Sequence, residues 1–209
     1  MEYPTYLIHY GVPGQKWGQR QWQNTDGSLT PEGYIHYYGE KKSRFKSPEE
    51  LSKNLSSFKY SNFNRLMSPD EVAKLKRGSC HDQVMYEIDE LSKQGLNPKA
   101  KFIMAVGENG QGGETHSFAY YTKNGKSYWI ENAWSDNKGI HEFRNEKELV
   151  NHVADTFARR NSNQNIYLAD FKPNEHKPGE DLNTFVDKSM NNADEYRPKH
   201  SYSIRKKTT

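Results

Sequence analysis

At 209 residues the chain has room for one domain with extensions, and its single cysteine excludes an internal disulfide framework. The composition is polar, 33% hydrophobic and 27% charged with a mean hydropathy of −1.12, so part of the chain is expected to be extended or ordered only against a partner. The net charge of +3 is mild and mostly alternating in sign, which speaks against a nucleic-acid partner. The absence of any long apolar run or signal-like start predicts a soluble protein with no membrane partner, made in a reducing compartment or released by lysis.

Residues 1–46 read as a separate docking segment. Six glycines from Gly11 to Gly39 interleave with Tyr10, Trp17, Trp22, Tyr34, Tyr37 and Tyr38, a mixture that prevents long helices while offering bulky anchors. A second region, 47–171, carries the patterned elements. Ser47-Pro48-Glu49-Glu50 and Ser68-Pro69-Asp70-Glu71 each supply an N-cap serine, a first-turn proline and a glutamate at the third position, predicting two helix starts. Val84, Ile88 and Leu91 then recur at helical spacing, predicting a helix from about His81 to Gln94 that stops at Gly95, with Cys80 at its N-terminal tip.

Strands are predicted over 100–106, 115–121 and 127–132, the last two joined by an Asn124-Gly125 turn. A shorter strand follows over 139–143. Asn145 caps a helix with apolar positions Leu149, Val150, Val153 and Phe157, and 166–171 reads as a last strand. The core is expected between about residues 80 and 160. From Lys172 to Thr209, prolines, asparagines and charges predict a largely extended tail with a basic end, Arg205-Lys206-Lys207.

The candidate chemistry lies in the order of three residues. Cys80 opens a helix, where the N-terminal dipole favours a thiolate. A two-residue turn sets Lys123 opposite Lys126 and hence Phe118 opposite Glu131, one diagonal step from His116 on the same sheet face. At that separation a carboxylate can orient an imidazole and fix its tautomer. The oxyanion donor is left between the backbone N–H groups of Cys80 and His81 and the side chain of Gln83. A lone cysteine is most often a small buried hydrophobe and a lone strand histidine most often structural; the ordered set lifts the functional reading.

Gly78-Ser79-Cys80-His81-Asp82, Thr115-His116-Ser117-Phe118 and Tyr128-Trp129-Ile130-Glu131-Asn132-Ala133-Trp134 together resemble the transglutaminase-like superfamily of papain-fold thiol enzymes, over about residues 75–160. The resemblance implies an α+β fold, with a papain-like core in which the nucleophile-bearing helix packs on a small antiparallel sheet, plus extended terminal segments. It implies Cys80 as nucleophile, His116 as general base and acid, and Glu131 as orienting acid, with no metal or organic cofactor and a protein or peptide substrate. His81 stands where the family commonly has tryptophan and Glu131 where it commonly has aspartate. Asn132 is an alternative orienting residue, though it faces the other side of the sheet and needs a bulge to reach His116. His81 is an alternative imidazole for the thiol.

A second resemblance is carried by His9-Tyr10-Gly11-Val12-Pro13-Gly14-Gln15-Lys16-Trp17-Gly18 and Asn24-Thr25-Asp26-Gly27-Ser28-Leu29-Thr30-Pro31-Glu32-Gly33, similar to a signature of bacteriophage structural and head-associated proteins. It implies other phage structural proteins as partners, and a virion or host-cytoplasm location. The rival expectation is a non-catalytic virion or assembly protein that uses the papain-like domain as a scaffold; an inert, buried Cys80 would favour it.

Overall fold

The computed structural model describes residues 42–197. The docking segment, including its phage-like signature, therefore lies outside the described residues except for 42–46, as does the basic end of the chain. Helices α1 (Pro48–Leu55) and α2 (Pro69–Leu75) start where their sequences predict. Ser47 and Ser68 accept the backbone N–H of Glu50 and Glu71, with proline in the first turn of each. In α2 the box is reciprocal, whereas the Glu50 carboxylate reaches past Ser47 to the Lys46 N–H at 2.8 Å.

Two residues on each side of α2 form an element that no periodicity announces. Strand β1 (Lys59–Tyr60) pairs in parallel with β2 (Arg77–Gly78), in the register Lys59↔Arg77 and Tyr60↔Gly78. Helix α3 (Cys80–Lys93) follows immediately and stops before Gly95, whose φ of +76° takes the left-handed conformation that glycine permits.

The rest of the frame is a six-stranded antiparallel sheet. It contains β3 (Lys99–Val106), β4 (Gly112–Lys123), β5 (Lys126–Glu131), β6 (Gly139–Phe143), β7 (Asn165–Asp170) and β8 (Asp194–Tyr196), in the order β6-β5-β4-β3-β7-β8. The glycine-rich stretch after β3 is a hydrogen-bonded turn, with the Gly107 N–H on the Gln111 carbonyl at 2.9 Å, and its last two glycines belong to β4.

Helices cover both sheet faces. Phe102, Ala119 and Ile130 point to α1, α2 and α3, where they meet Leu51, Val72, Val84 and Ile88. Their strand neighbours Ile103, Phe118, Tyr120 and Trp129 point the other way, onto Leu149, Val153 and Phe157 of α4 (Glu146–Arg160). The central strands are thus buried on both faces, and the fold is mixed α/β with five α-helices among the described residues.

Two expectations are corrected here. The core is not confined to 80–160: it draws in Leu51, Leu55, Leu66 and Val72 before α3, and Ala169, Phe171 and Phe185 after α4. The described part of the tail is not extended either. Asp181 caps α5 (Leu182–Met190), which buries Phe185 against Phe171 at 5.5 Å between ring centroids, and β8 adds to the sheet edge beside β7. The reason is local: Leu182, Phe185 and Val186 recur at helical spacing, so a short stretch buries enough apolar surface despite the polar residues around it.

Candidate active site

Cys80 is the first residue of α3, and the turn before it is fixed by reciprocal caps. The Asp82 N–H donates to Ser79 Oγ at 3.3 Å, while Asp82 Oδ2 accepts the Ser79 N–H at 3.0 Å and the Ser79 hydroxyl at 2.8 Å. Asp82 Oδ1 accepts the Met67 N–H at 2.8 Å and meets His176 Nε2 at 3.2 Å. Burial alone would raise the Asp82 carboxyl; His176, the Met67 N–H and Ser79 outweigh it and hold the group below its ordinary value. Gly78 leaves room for this arrangement, since a Cβ there would stand 3.0 Å from Asp82 Cβ. Asp82 therefore anchors the turn that carries Cys80 to two other parts of the chain, at Met67 and His176.

The hairpin delivers the other two residues in the expected register. Asn124 and Gly125 both have positive φ, +52° and +76°, as a tight primed turn requires, and pairing runs from Lys123↔Lys126 to Ala119↔Ile130. His116 Nε2 lies 2.8 Å from Glu131 Oε2, and Glu131 Oε1 accepts the Trp134 N–H at 2.8 Å. Both carboxylate oxygens are thus committed, and the imidazole is fixed further by Trp134 edge-on at 5.4 Å and by Phe118 stacked at 6.4 Å. With Nε2 held by Glu131, Nδ1 is the nitrogen left for the thiol, whose Sγ is 4.0 Å from the carbonyl oxygen of Thr115, the residue before His116.

The electrostatics follow from this placement. Burial alone would raise the Cys80 thiol, but the His81 and His116 imidazoles outweigh it and bring the thiol down to about 5. Burial alone would lower His116; the Glu131 carboxylate and the thiol outweigh it and raise the imidazole to about 10. Between those limits the favoured state is thiolate and imidazolium.

Asn132, Gln83 and the His81 ring lie on the α3 side of the sheet, and His81 is also one of the two imidazoles that lower the Cys80 thiol. Asn132 faces α3 rather than His116, and its Nδ2 donates to Gln83 Oε1 at 2.7 Å. Gln83 Nε2 in turn donates to the Gly78 carbonyl at 2.9 Å. Through this chain of hydrogen bonds the Gln83 amide braces the loop over 78–80. His81 Nδ1 lies 2.8 Å from Ser117 Oγ, with the ring between Phe102 and Phe185 at 5.8 and 5.2 Å. The N–H groups of Cys80 and His81 belong to the first helical turn, which has no carbonyl of its own to receive them.

Sequence reasoning missed four residues. Tyr60 on β1 pairs beside Gly78, and its half-burial together with the Cys80 sulfur pushes its phenol above the ordinary range. Glu87, two turns beyond Cys80 on α3, is buried; that burial and the nearby Glu131 push its carboxyl well above the carboxylate range. Ser117 and His176 hold His81 and Asp82. Only Glu87 left a sequence signal, seven residues from Cys80 and so on one helix face with it. Beside the site, a cavity of about 370 Å³ is lined by Glu131, Asn132, Ser52, Lys53 and Lys138 among others. No group of three or more His, Cys, Asp or Glu that could hold a metal occurs among the described residues. In comparisons with known proteins, no family model and no curated protein matches the chain.

Proposed function

We propose that the chain is a thiol-dependent acyl-transfer enzyme acting on an amide bond, with a papain-like core of the transglutaminase-like kind. The observation that carries this reading is the 2.8 Å pair between His116 Nε2 and a doubly anchored Glu131, with Nδ1 left toward a cysteine at a helix N-terminus. In the reaction, the Cys80 thiolate attacks the amide carbonyl carbon and the carbonyl π electrons move to oxygen. As the tetrahedral intermediate collapses, the carbon–nitrogen bond breaks and the His116 imidazolium protonates the leaving amine. The resulting thioester is resolved by water, as in a peptidase, isopeptidase or deamidase, or by an amine, as in cross-linking. His116 accepts the proton of the incoming group and the thiolate is released. Glu131 keeps the imidazole oriented and offsets its charge throughout. The substrate is a protein or peptide, and the N-terminal signature supports a phage-type protein working in a virion or the host cytoplasm.

Incubation with p-nitrophenyl acetate tests this reading. Wild type is expected to gain one acetyl group on Cys80 by mass spectrometry, and Cys80→Ala none while keeping its thermal midpoint. An acetylation rate no faster than that of free cysteine would overturn it. The second reading, a scaffold protein, is favoured by one observation, the 2% exposure of Cys80. It predicts that slow outcome.

A further inference from the structure

The proposed acyl transfer needs a donor for the oxygen that becomes negative, and the side chain offered by the sequence is already held in a brace between Gly78 and Asn132. Gln83 gives one amide hydrogen to the Gly78 carbonyl and its oxygen accepts from Asn132, so the direction of its second hydrogen is set by that brace and not by a substrate. A hydroxyl on the strand beside the nucleophile loop belongs to Tyr60, and the Cys80 sulfur is among the groups that raise its phenol. Its strand is fixed at both ends beside the nucleophile, the Lys59 N–H donating to the Lys76 carbonyl at 3.0 Å and the Ser61 N–H to the Gly78 carbonyl at 3.1 Å. The pairing Tyr60↔Gly78 sets the Tyr60 backbone beside the residue two before Cys80. The sulfur is 2% exposed and the tyrosine 55%, one of two large hydrophobic side chains left exposed among the described residues. The core therefore does not account for its position.

We propose that Tyr60 is a further catalytic residue, whose hydroxyl donates a hydrogen bond to the Cys80 thiolate in the resting site and to the carbonyl oxygen as it becomes an oxyanion. This rests on the acyl-transfer reading above. In a tetrahedral adduct the oxygen and the sulfur are bonded to the same carbon, so a donor beside the sulfur reaches the oxygen by a small rotation. No proton leaves Tyr60: its half-burial and the Cys80 sulfur both disfavour the phenolate, so the hydroxyl remains a donor. The first-turn N–H groups of α3 supply a second donor.

The experiment compares two reactions of the same sulfur in full-length wild type and Tyr60→Phe, at pH 8, above the thiol's midpoint. Acetylation by p-nitrophenyl acetate passes through an oxyanion, whereas alkylation by iodoacetamide does not. Tyr60→Phe is expected to slow acetylation by roughly 10²-fold, the usual effect of losing one oxyanion donor, while alkylation changes by less than about 3-fold. Equal acetylation rates in the two proteins, with wild type well above free cysteine, would overturn the role of Tyr60 and leave the acyl-transfer reading standing. Wild type no faster than free cysteine in both reactions would overturn both. A parallel fall in both rates would assign Tyr60 to holding the site together and so contradict the proposal.

Discussion

Two imidazoles flank one sulfur, and the sheet supports them in opposite ways. His116 rises from β4 on the α4 side and is backed by a carboxylate, which is itself pinned by the Trp134 N–H. His81 lies on the α3 side, backed by the Ser117 hydroxyl and wedged between Phe102 and Phe185. Ser117 brings no charge, so His81 acts on the thiol with no carboxylate behind it, whereas Glu131 can offset an imidazolium through a proton cycle. One residue's difference along β4 decides which side chain faces which layer, and with it which histidine has an acid behind it.

The largest effect expected from this contrast is on Glu131. Glu131→Gln keeps the shape but removes the charge behind His116, and acetylation at pH 7 is expected to fall by about 10³–10⁴-fold with the fold intact. A loss under about 10-fold would move the orienting role away from Glu131. His81→Ala is expected to act mainly on stability. It empties a buried site between two aromatic rings and strands Ser117, costing about 2–4 kcal/mol by chemical denaturation, while acetylation stays within about 10-fold of wild type. A variant that is stable but inert would exchange the two roles.

The smallest effect belongs to Glu87, which sharpens the comparison because it is a buried carboxyl with no catalytic proton to hold. Its pKa is raised in the folded chain, so the folded state keeps a proton that the unfolded chain has released above its ordinary value of 4.5. Wild-type stability therefore carries a component that declines as pH rises from there toward the raised folded value. Glu87→Gln should remove that decline, leaving the midpoint unchanged near pH 4 and higher than wild type at pH 8, with unaltered acetylation. Equal midpoints at both pH values would show that Glu87 is not held protonated.

The parts of the site that were legible in the sequence are those written in local chemistry. The Asn124-Gly125 turn dictates a register, and the register places Glu131 beside His116 and turns Asn132 away. Ser79 and Asp82 mark the start of α3, and the caps put Cys80 there. Tyr60 was illegible because a two-residue parallel pair has no period and draws its partner from beyond a helix. His176 reaches Asp82 across 94 positions, in a stretch whose prolines and charges read as tail. The helix that organises that stretch has only a few apolar residues to betray it, and its burial depends on Phe102 and Phe171, which sequence spacing does not bring near.

The central claim is that Cys80 and His116 form a thiolate–imidazolium pair. Its most direct test is the rate of Cys80 alkylation by iodoacetamide from pH 4 to pH 9, in wild type and in His116→Ala. A lowered thiol gives a thiolate that is present above its folded midpoint and lost as pH falls through it. The wild-type rate should therefore reach half its plateau near pH 5 and stay level to pH 9, below the loss of the His116 proton at about 10. In His116→Ala the midpoint should move up by more than one unit. A wild-type rate that rises only near about pH 8.5, unchanged by the substitution, would contradict the account and leave Cys80 an ordinary buried thiol.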